Sequence, residues 1–184
     1  MNDRIAMLID RAGREGLIDV AYATVDSPVG MLTVAATPSG LVRISYSDTD
    51  AVLEELAGEL SPRVLEVPTR LDPVRRELDE YFSGERRSFD LPIDWSLVRT
   101  PFRRAVLART ARIPYGQTAT YRDVAEAAGN AAAVRAAGTA LGANPIPVVV
   151  PCHRVLRTGG DMGLYAGGVE RKRFLLGLEG RLPA

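Results

Sequence analysis

The chain has 184 residues, 46% of them apolar, a net charge of zero, one cysteine and one histidine. That length allows one or two domains, and the apolar share supports a sizeable core and excludes a disordered chain. No apolar run approaches the roughly 18 residues a membrane span needs. Residues 1–15 lack the apolar stretch of a secretory signal, so a cytoplasmic protein is expected. A lone cysteine excludes an internal disulfide, and Cys152 with His153 cannot close a four-ligand zinc site.

The zero charge hides an asymmetry. Residues 1–94 hold 10 arginines against 18 acids, a balance of −8, and residues 95–184 hold 12 arginines and one lysine against 5 acids, a balance of +8. An acidic half joined to a basic half points to two domains, one of which meets a polyanion. An internal charge match between the halves is the plainer alternative. The excess of arginine over lysine reads first as coding bias.

In chain order, residues 1–17 carry helical apolar spacing with weak caps, a marginal helix. Val20-Ala21-Tyr22-Ala23-Thr24-Val25, residues 31–36 and residues 41–46 are β-prone runs separated by Pro/Gly turns, which predicts a three-strand meander. Val52, Leu53, Leu56 and Leu60 then fall at helical spacing. Residues 64–67 read as a further strand. Asp72-Pro73 starts a helix through Leu78, Tyr81 and Phe82 that stops at Gly84. A short strand is expected near residues 89–91, and the first domain, a small α+β unit, is expected to end at residue 93.

Residues 94–184 read as mostly helical. Thr100-Pro101 opens a helix that Ile113-Pro114 closes, and Tyr115-Gly116-Gln117 is a turn. Thr120 caps a helix over residues 121–128, with Asp123 in a capping-box position, and Gly129-Asn130 ends it. Another helix is expected over residues 131–141. The pair resembles a helix-turn-helix. Its second member is nearly all small residues with one Arg135, unlike a major-groove reader with several long polar side chains. Such a smooth surface fits a minor groove; it fits equally a buried alanine-rich helix with Arg135 at its rim.

The scarce reactive residues come next. Pro151-Cys152-His153-Arg154-Val155 follows Asn144-Pro145 and a β-branched run, and precedes a glycine-rich loop at residues 159–168. The thiolate is the nucleophile, and an ordinary thiol near ~8.5 is only a few per cent ionised at neutral pH. His153 is the available base. On a strand, adjacent side chains point opposite ways, so it must reach the sulfur across a bend or through a water. Glu179 or Glu170 would orient it. An inert buried cysteine is the common alternative.

These motifs, with Ile113-Pro114-Tyr115-Gly116, Thr120-Tyr121, Ala133-Val134-Arg135-Ala136 and Tyr165-Ala166-Gly167-Gly168, resemble the O6-alkylguanine-DNA alkyltransferase family. The match is dense over residues 100–182 and looser at Ser27-Pro28-Val29-Gly30. The resemblance implies direct reversal of damage in double-stranded DNA: the alkyl group of O6-alkylguanine, and less uniformly O4-alkylthymine, moves to the protein's own cysteine without turnover. It implies Cys152 as acceptor, His153 and Glu179 as the network that draws the thiol proton away through a water, and Asn144 as the brace of the preceding turn. Arg135 would enter the base stack, and Tyr121 would help rotate the target phosphate and contact the base. Tyr165, Ala166 and Gly167 would line the pocket, with the carbonyls of Cys152 and Val155 taking the exocyclic amine. No cofactor, metal or membrane is implied. A monomer in solution is expected, with cooperative assembly on DNA left open.

Physical chemistry points the same way. The target atom lies inside the stack, so the base must be flipped out, at a cost of a few kcal/mol that an inserted side chain offsets. Phosphate contacts from the basic half carry no sequence information, as a search of all sequences requires. The chain departs from the family pattern at Leu164 and at Gly160-Asp161-Met162, which puts pocket width and adduct preference in question. Some relatives carry a metal site in the first domain; with no Cys or His before residue 152, this chain does not match it. The rival readings are a cysteine hydrolase, which turns over and needs an oxyanion hole, and a DNA-binding regulator in which Cys152 has no role.

Overall fold

The computed structural model describes residues 7–8, 11–13 and 15–181. Within the helix expected over 1–17, residues 7–8 and 11–13 are helical, residues 15–16 form a turn and residue 17 is irregular; residues 1–6, 9–10 and 14 lie outside the described residues. The fold is α+β, a small N-terminal sheet unit followed by a helical unit. The first unit takes the chain up to Asp26, Gly30–Arg76 and Leu91–Leu97; the second takes Ser27–Val29, Glu77–Asp90 and Val98 onward.

In the first unit, β1 (Val20–Val25), β2 (Leu32–Thr37) and β3 (Gly40–Ser45) form the expected antiparallel meander. β4 (Val64–Glu66) adds to β1 in parallel, giving the order β3-β2-β1-β4. The crossover between these parallel strands carries α1 (Thr49–Glu59), capped by the Asp48 carboxylate, which accepts from the amides of Asp50 and Ala51. Val52 and Leu56 on α1 pack with Val20, Ala35 and Val42 into a core closed by Tyr22, Leu60, Val64 and Leu97.

The strand expected at residues 89–91 does not form. A single bridge, Leu41 to Ile93, stands two residues further on, with the Leu41 amide donating to the Pro92 carbonyl at 2.8 Å and the Asp94 amide to Leu41 at 2.9 Å. Pro92 brings an acceptor but no donor, so pairing cannot propagate through it. That approach makes Gly40 obligatory. Its φ is +139°, and a Cβ there would meet the Pro92 carbonyl oxygen at 2.3 Å. Gly40→Ala is expected to cost about 2 kcal/mol or more. Urea unfolding checks this, and a midpoint equal to wild type would contradict it.

Helix α2 (Asp72–Phe82) follows a 3-10 turn at Pro68–Leu71 that sequence reading missed, and Gly84 at φ +82° ends it. In the second unit, α3 (Pro101–Thr110) is capped by Thr100. α4 (Tyr121–Ala127) carries the expected capping box, Thr120 accepting from the Asp123 amide at 3.1 Å and Asp123 from the Thr120 amide at 2.8 Å. α5 (Val134–Gly142) starts three residues later than expected, because Asn130 takes the Ala132 amide on its side chain and the Ala133 amide on its carbonyl, making a turn of residues 131–133. α3, α4 and α5 pack on one another, and Val106, Leu107, Val124, Ala125, Ala137 and Leu141 on them are buried. β5 (Ala119–Thr120) pairs in parallel with β6 (Val155–Leu156), a contact invisible in two-residue strands, and α6 (Val169–Leu178) closes the chain. No helix among the described residues is long and apolar enough to cross a membrane.

Candidate functional site

The loop between α5 and β6 is built on Asn144. Its Oδ1 accepts from the Ile146 amide at 3.0 Å, while Nδ2 donates to the Val150 carbonyl at 2.8 Å and to Cys152 Sγ at 3.2 Å. Pro151, at φ −80° and ψ 64°, sits at the centre of an inverse γ-turn closed by the Cys152 amide on Val150 at 2.8 Å. Val148 holds φ +73°, a conformation costly for a β-branched residue. The β-branched run is therefore a strained turn. Cys152–Arg154 then form a 3-10 turn, which corrects the strand-like reading of Cys152 and His153 and supplies the bend between them.

Cys152 is 5% exposed. Burial pushes its thiol up, opposed by the Asn144 hydrogen bond and by Lys172. His153 is fully buried, and burial pushes its imidazole down against the pull of Glu179. Its Nε2 stands 2.9 Å from Glu179 Oε1, and its Nδ1 is buried without a hydrogen-bond partner among the described residues. An ionised carboxylate only accepts, so Nε2 carries the proton and Nδ1 presents a lone pair.

Geometry settles which acid orients the imidazole. Glu170 is exposed and paired with Arg173, whereas Glu179, capping α6, is buried. Burial alone would raise the Glu179 carboxyl; hydrogen bonds from His153 and Arg154 overcome it and hold the group at about 2. Arg154 Nε donates to Oε2 at 2.9 Å and Nη2 to Oε1 at 2.8 Å, a forked pair. The Gly116 amide donates to Oε2 at 3.2 Å and the Tyr81 hydroxyl to Oε1 at 2.7 Å. Gly116 is required by its φ of +69° and because a Cβ would lie 3.1 Å from the Glu179 carbonyl.

An open cavity of about 580 Å³ brings together Cys152, Tyr121, Arg135, Tyr165 and Ala166, with Gly138, Leu141, Gly142, Arg157 and Leu164 completing its wall. Arg135 is exposed on α5, and Leu164 is 82% exposed at the rim. The Tyr121 hydroxyl donates to the Leu164 carbonyl at 3.4 Å; burial, then Cys152, pushes its pKa up, so the phenol keeps its proton. Asn144, His153, Val155, Gly167 and Glu179 are buried and do not line the cavity. Among the described residues no group of three His, Cys, Asp or Glu could hold a metal ion.

Sequence reading missed Tyr81, Arg154, Gly116, Arg157 and Lys172. Lys172 is fully buried, and its Nζ donates to the Val155 carbonyl at 2.6 Å and to the Met162 carbonyl, tying the glycine-rich loop to α6. Burial lowers it to about 8, with Cys152 opposing. A signal was present: one lysine survives among 23 basic residues. An ammonium fits between two carbonyls where a planar guanidinium does not.

Two family models match the chain. Residues 101–181 match the 6-O-methylguanine DNA methyltransferase, DNA binding domain, and residues 20–95 match the ribonuclease-like domain of the same family. The methylated-DNA--protein-cysteine methyltransferase of Mycolicibacterium paratuberculosis is 38% identical over 88% of this chain and 93% of its own. The inducible protein of that name from Bacillus subtilis is 40% identical over 80% of this chain and 83% of its own. The crystal structure of Mycobacterium tuberculosis OGT in complex with DNA superposes with a TM-score of 0.74 at 37% identity, covering 89% of this chain and 96% of that one. A helical DNA-binding domain with a buried thiol behind an open cleft, joined to a ribonuclease-like domain, defines a class of cysteine methyltransferases. The chain belongs to the 6-O-methylguanine DNA methyltransferase family.

Proposed function

We propose that this chain repairs double-stranded DNA by direct reversal, taking the alkyl group of O6-alkylguanine onto its own Cys152 once per chain. O4-alkylthymine is the second candidate substrate. The observation that carries this reading is the thiol at the wall of an open cleft, followed in the chain by His153, whose Nε2 is held by Glu179 and whose Nδ1 has no hydrogen-bond partner among the described residues.

Residues 94–184 form the DNA-binding and alkyl-accepting domain in this reading, and residues 1–93 the N-terminal domain, of which residues 27–29 and 77–90 cluster with the second compact unit. The basic half lies on phosphates, α4 and α5 act as a helix-turn-helix in the minor groove, and Arg135 fills the stack from which the target leaves. The flipped base enters the cleft against Tyr121, Tyr165 and Ala166. The chain works as a monomer in solution, in the cytoplasm and without cofactor.

The thiol is neutral at rest because burial disfavours its anion. Its proton passes through a water to His153 Nδ1, and the resulting imidazolium is stabilised by Glu179. Asn144 and Lys172 favour the thiolate while it exists. Sulfur attacks the alkyl carbon, the S–C bond forms and the C–O6 bond breaks. The electron pair returns to the guanine ring, which takes one proton. Tyr121 supplies it, and the proton on His153 restores the phenol through solvent. The sum is one hydrogen lost from Cys152 and one gained by guanine. The Val155 carbonyl already accepts from Lys172 and that of Cys152 from the Val155 amide; each has a second lone pair for the exocyclic amine.

The test is intact mass after mixing the chain with a duplex holding one O6-methylguanine. One methyl group gained in place of one hydrogen, mapped to Cys152 and stopping there, is expected. An unchanged mass with duplex binding intact would overturn the reading, and continued product release would favour a hydrolase.

A further inference from the structure

Tyr81 lies outside the DNA-binding domain match, on α2. Its side chain is fully buried, with its ring packed on Phe82, Phe89 and Tyr115 at centroid distances of 5.3–6.2 Å. Its hydroxyl donates at 2.7 Å to Glu179 Oε1, 98 residues away. That oxygen is the one that faces His153 Nε2. Ring packing alone would be met by phenylalanine, which leaves the hydroxyl without a structural reason other than the carboxylate.

We propose that Tyr81 is a positioning residue for alkyl transfer: its hydroxyl holds Glu179 Oε1 where it orients His153 and keeps Nδ1 free for the thiol proton. The inference rests on the alkyl-transfer reading above and extends its machinery to a segment matched by the family's ribonuclease-like domain. Glu179 is otherwise held by Arg154 and the Gly116 amide, of which the guanidinium reaches Oε1 and the amide only Oε2. The forked Arg154 pair fixes the carboxylate to the 3-10 turn that carries His153. Tyr81 ties the same oxygen to α2, so the acid cannot follow movements of that turn. By sharing the negative charge on Oε1, the phenol also weakens its pull on the imidazole proton.

The other groups facing this pair are few. His153 is faced by Arg154 from its own turn and Lys172 from α6. Glu179 is faced by Arg154, by His153 and by Tyr115, whose hydroxyl donates to the Leu178 carbonyl. Cations on one side and a phenol on the other leave Tyr81 as the neutral donor on the orienting oxygen.

The chain holds one histidine, so nitrogen-15 spectra of labelled imidazole report His153 alone. The experiment compares the full-length chain with Tyr81→Phe, recording histidine spectra across pH and the rate of Cys152 methylation by O6-methylguanine duplex and by free O6-benzylguanine. The expected result is an altered pair of imidazole nitrogen shifts, a titration displaced to higher pH, and a rate lowered on the order of fivefold for both substrates, the equivalent of about 1 kcal/mol. Phe89→Leu, which disturbs the ring packing and spares the hydroxyl, is expected to lower the unfolding temperature without moving the imidazole signals. Superimposable histidine spectra in Tyr81→Phe, or equal rates, would overturn the proposal. Imidazole signals that shift as much in Phe89→Leu would also overturn it, by making the effect one of packing. Absence of transfer in the wild-type chain would instead sink the alkyl-transfer reading, and the histidine spectra would still decide what Tyr81 holds.

Discussion

Glu179→Gln is expected to remove most of the methylation rate and to destabilise the fold by roughly 3–5 kcal/mol, the usual cost of breaking one side of a buried ion pair. The substitution keeps size and shape and removes the charge. Arg154, 5% exposed, then has no anion, and the His153 imidazolium formed during transfer loses its partner. The wild-type chain should reveal the same group through pH. The carboxyl sits at about 2 folded against 4.5 as an ordinary glutamate, so its contribution is present above 4.5 and lost as pH falls towards 2. Integrated, that displacement is roughly 3 kcal/mol. His153 acts in the same direction: burial lowers its folded value, so below about 6.5 the unfolded chain binds a proton that the folded chain refuses. Urea unfolding at several pH values should show wild-type stability falling from pH 6.5 downward. Glu179→Gln should start lower and fall less in the region below 4.5. Parallel curves for the two proteins would contradict this account.

Arg135→Ala is expected to slow methylation by a duplex on the order of a hundredfold, far more than methylation by a free base. Flipping costs a few kcal/mol, and loss of 2–3 kcal/mol of compensation is a factor of about 30–160 in rate. A free base needs no flipping and meets only the cleft, where Arg135 stands at the wall and not behind the thiol. The two rate constants are measured on the same preparation by intact mass against time. Equal slowing on both substrates would remove the intercalation role and leave Arg135 as a cleft residue. Replacement by lysine should recover part of the duplex rate, because length and charge survive while the planar fork does not.

Much of the architecture could be read from local rules. Thr120 caps its helix as its side chain requires, and Pro101 opens α3. The meander follows from alternating β-prone runs between Pro/Gly turns. The errors share one cause. The strand expected at 89–91 moved to a bridge at Ile93, and α5 began at Val134 instead of residue 131, because a carbonyl from β3 and the side chain of Asn130 took the backbone groups that propensity had assigned elsewhere.

The sequence by itself determined the candidate reacting groups: one thiol, one imidazole, an asparagine eight residues before the thiol, and a glycine-rich loop after it. These are scarce residue types at close spacing, and scarcity is legible without a fold. Tertiary structure alone decided the rest. It chose Glu179 over Glu170, left His153 Nδ1 open, buried the single lysine under two carbonyls, and brought Tyr81 from 98 residues away onto the orienting oxygen. The physical reason is burial. A charged group inside a protein must find partners from whichever element packs against it, and those partners need have no fixed spacing along the chain.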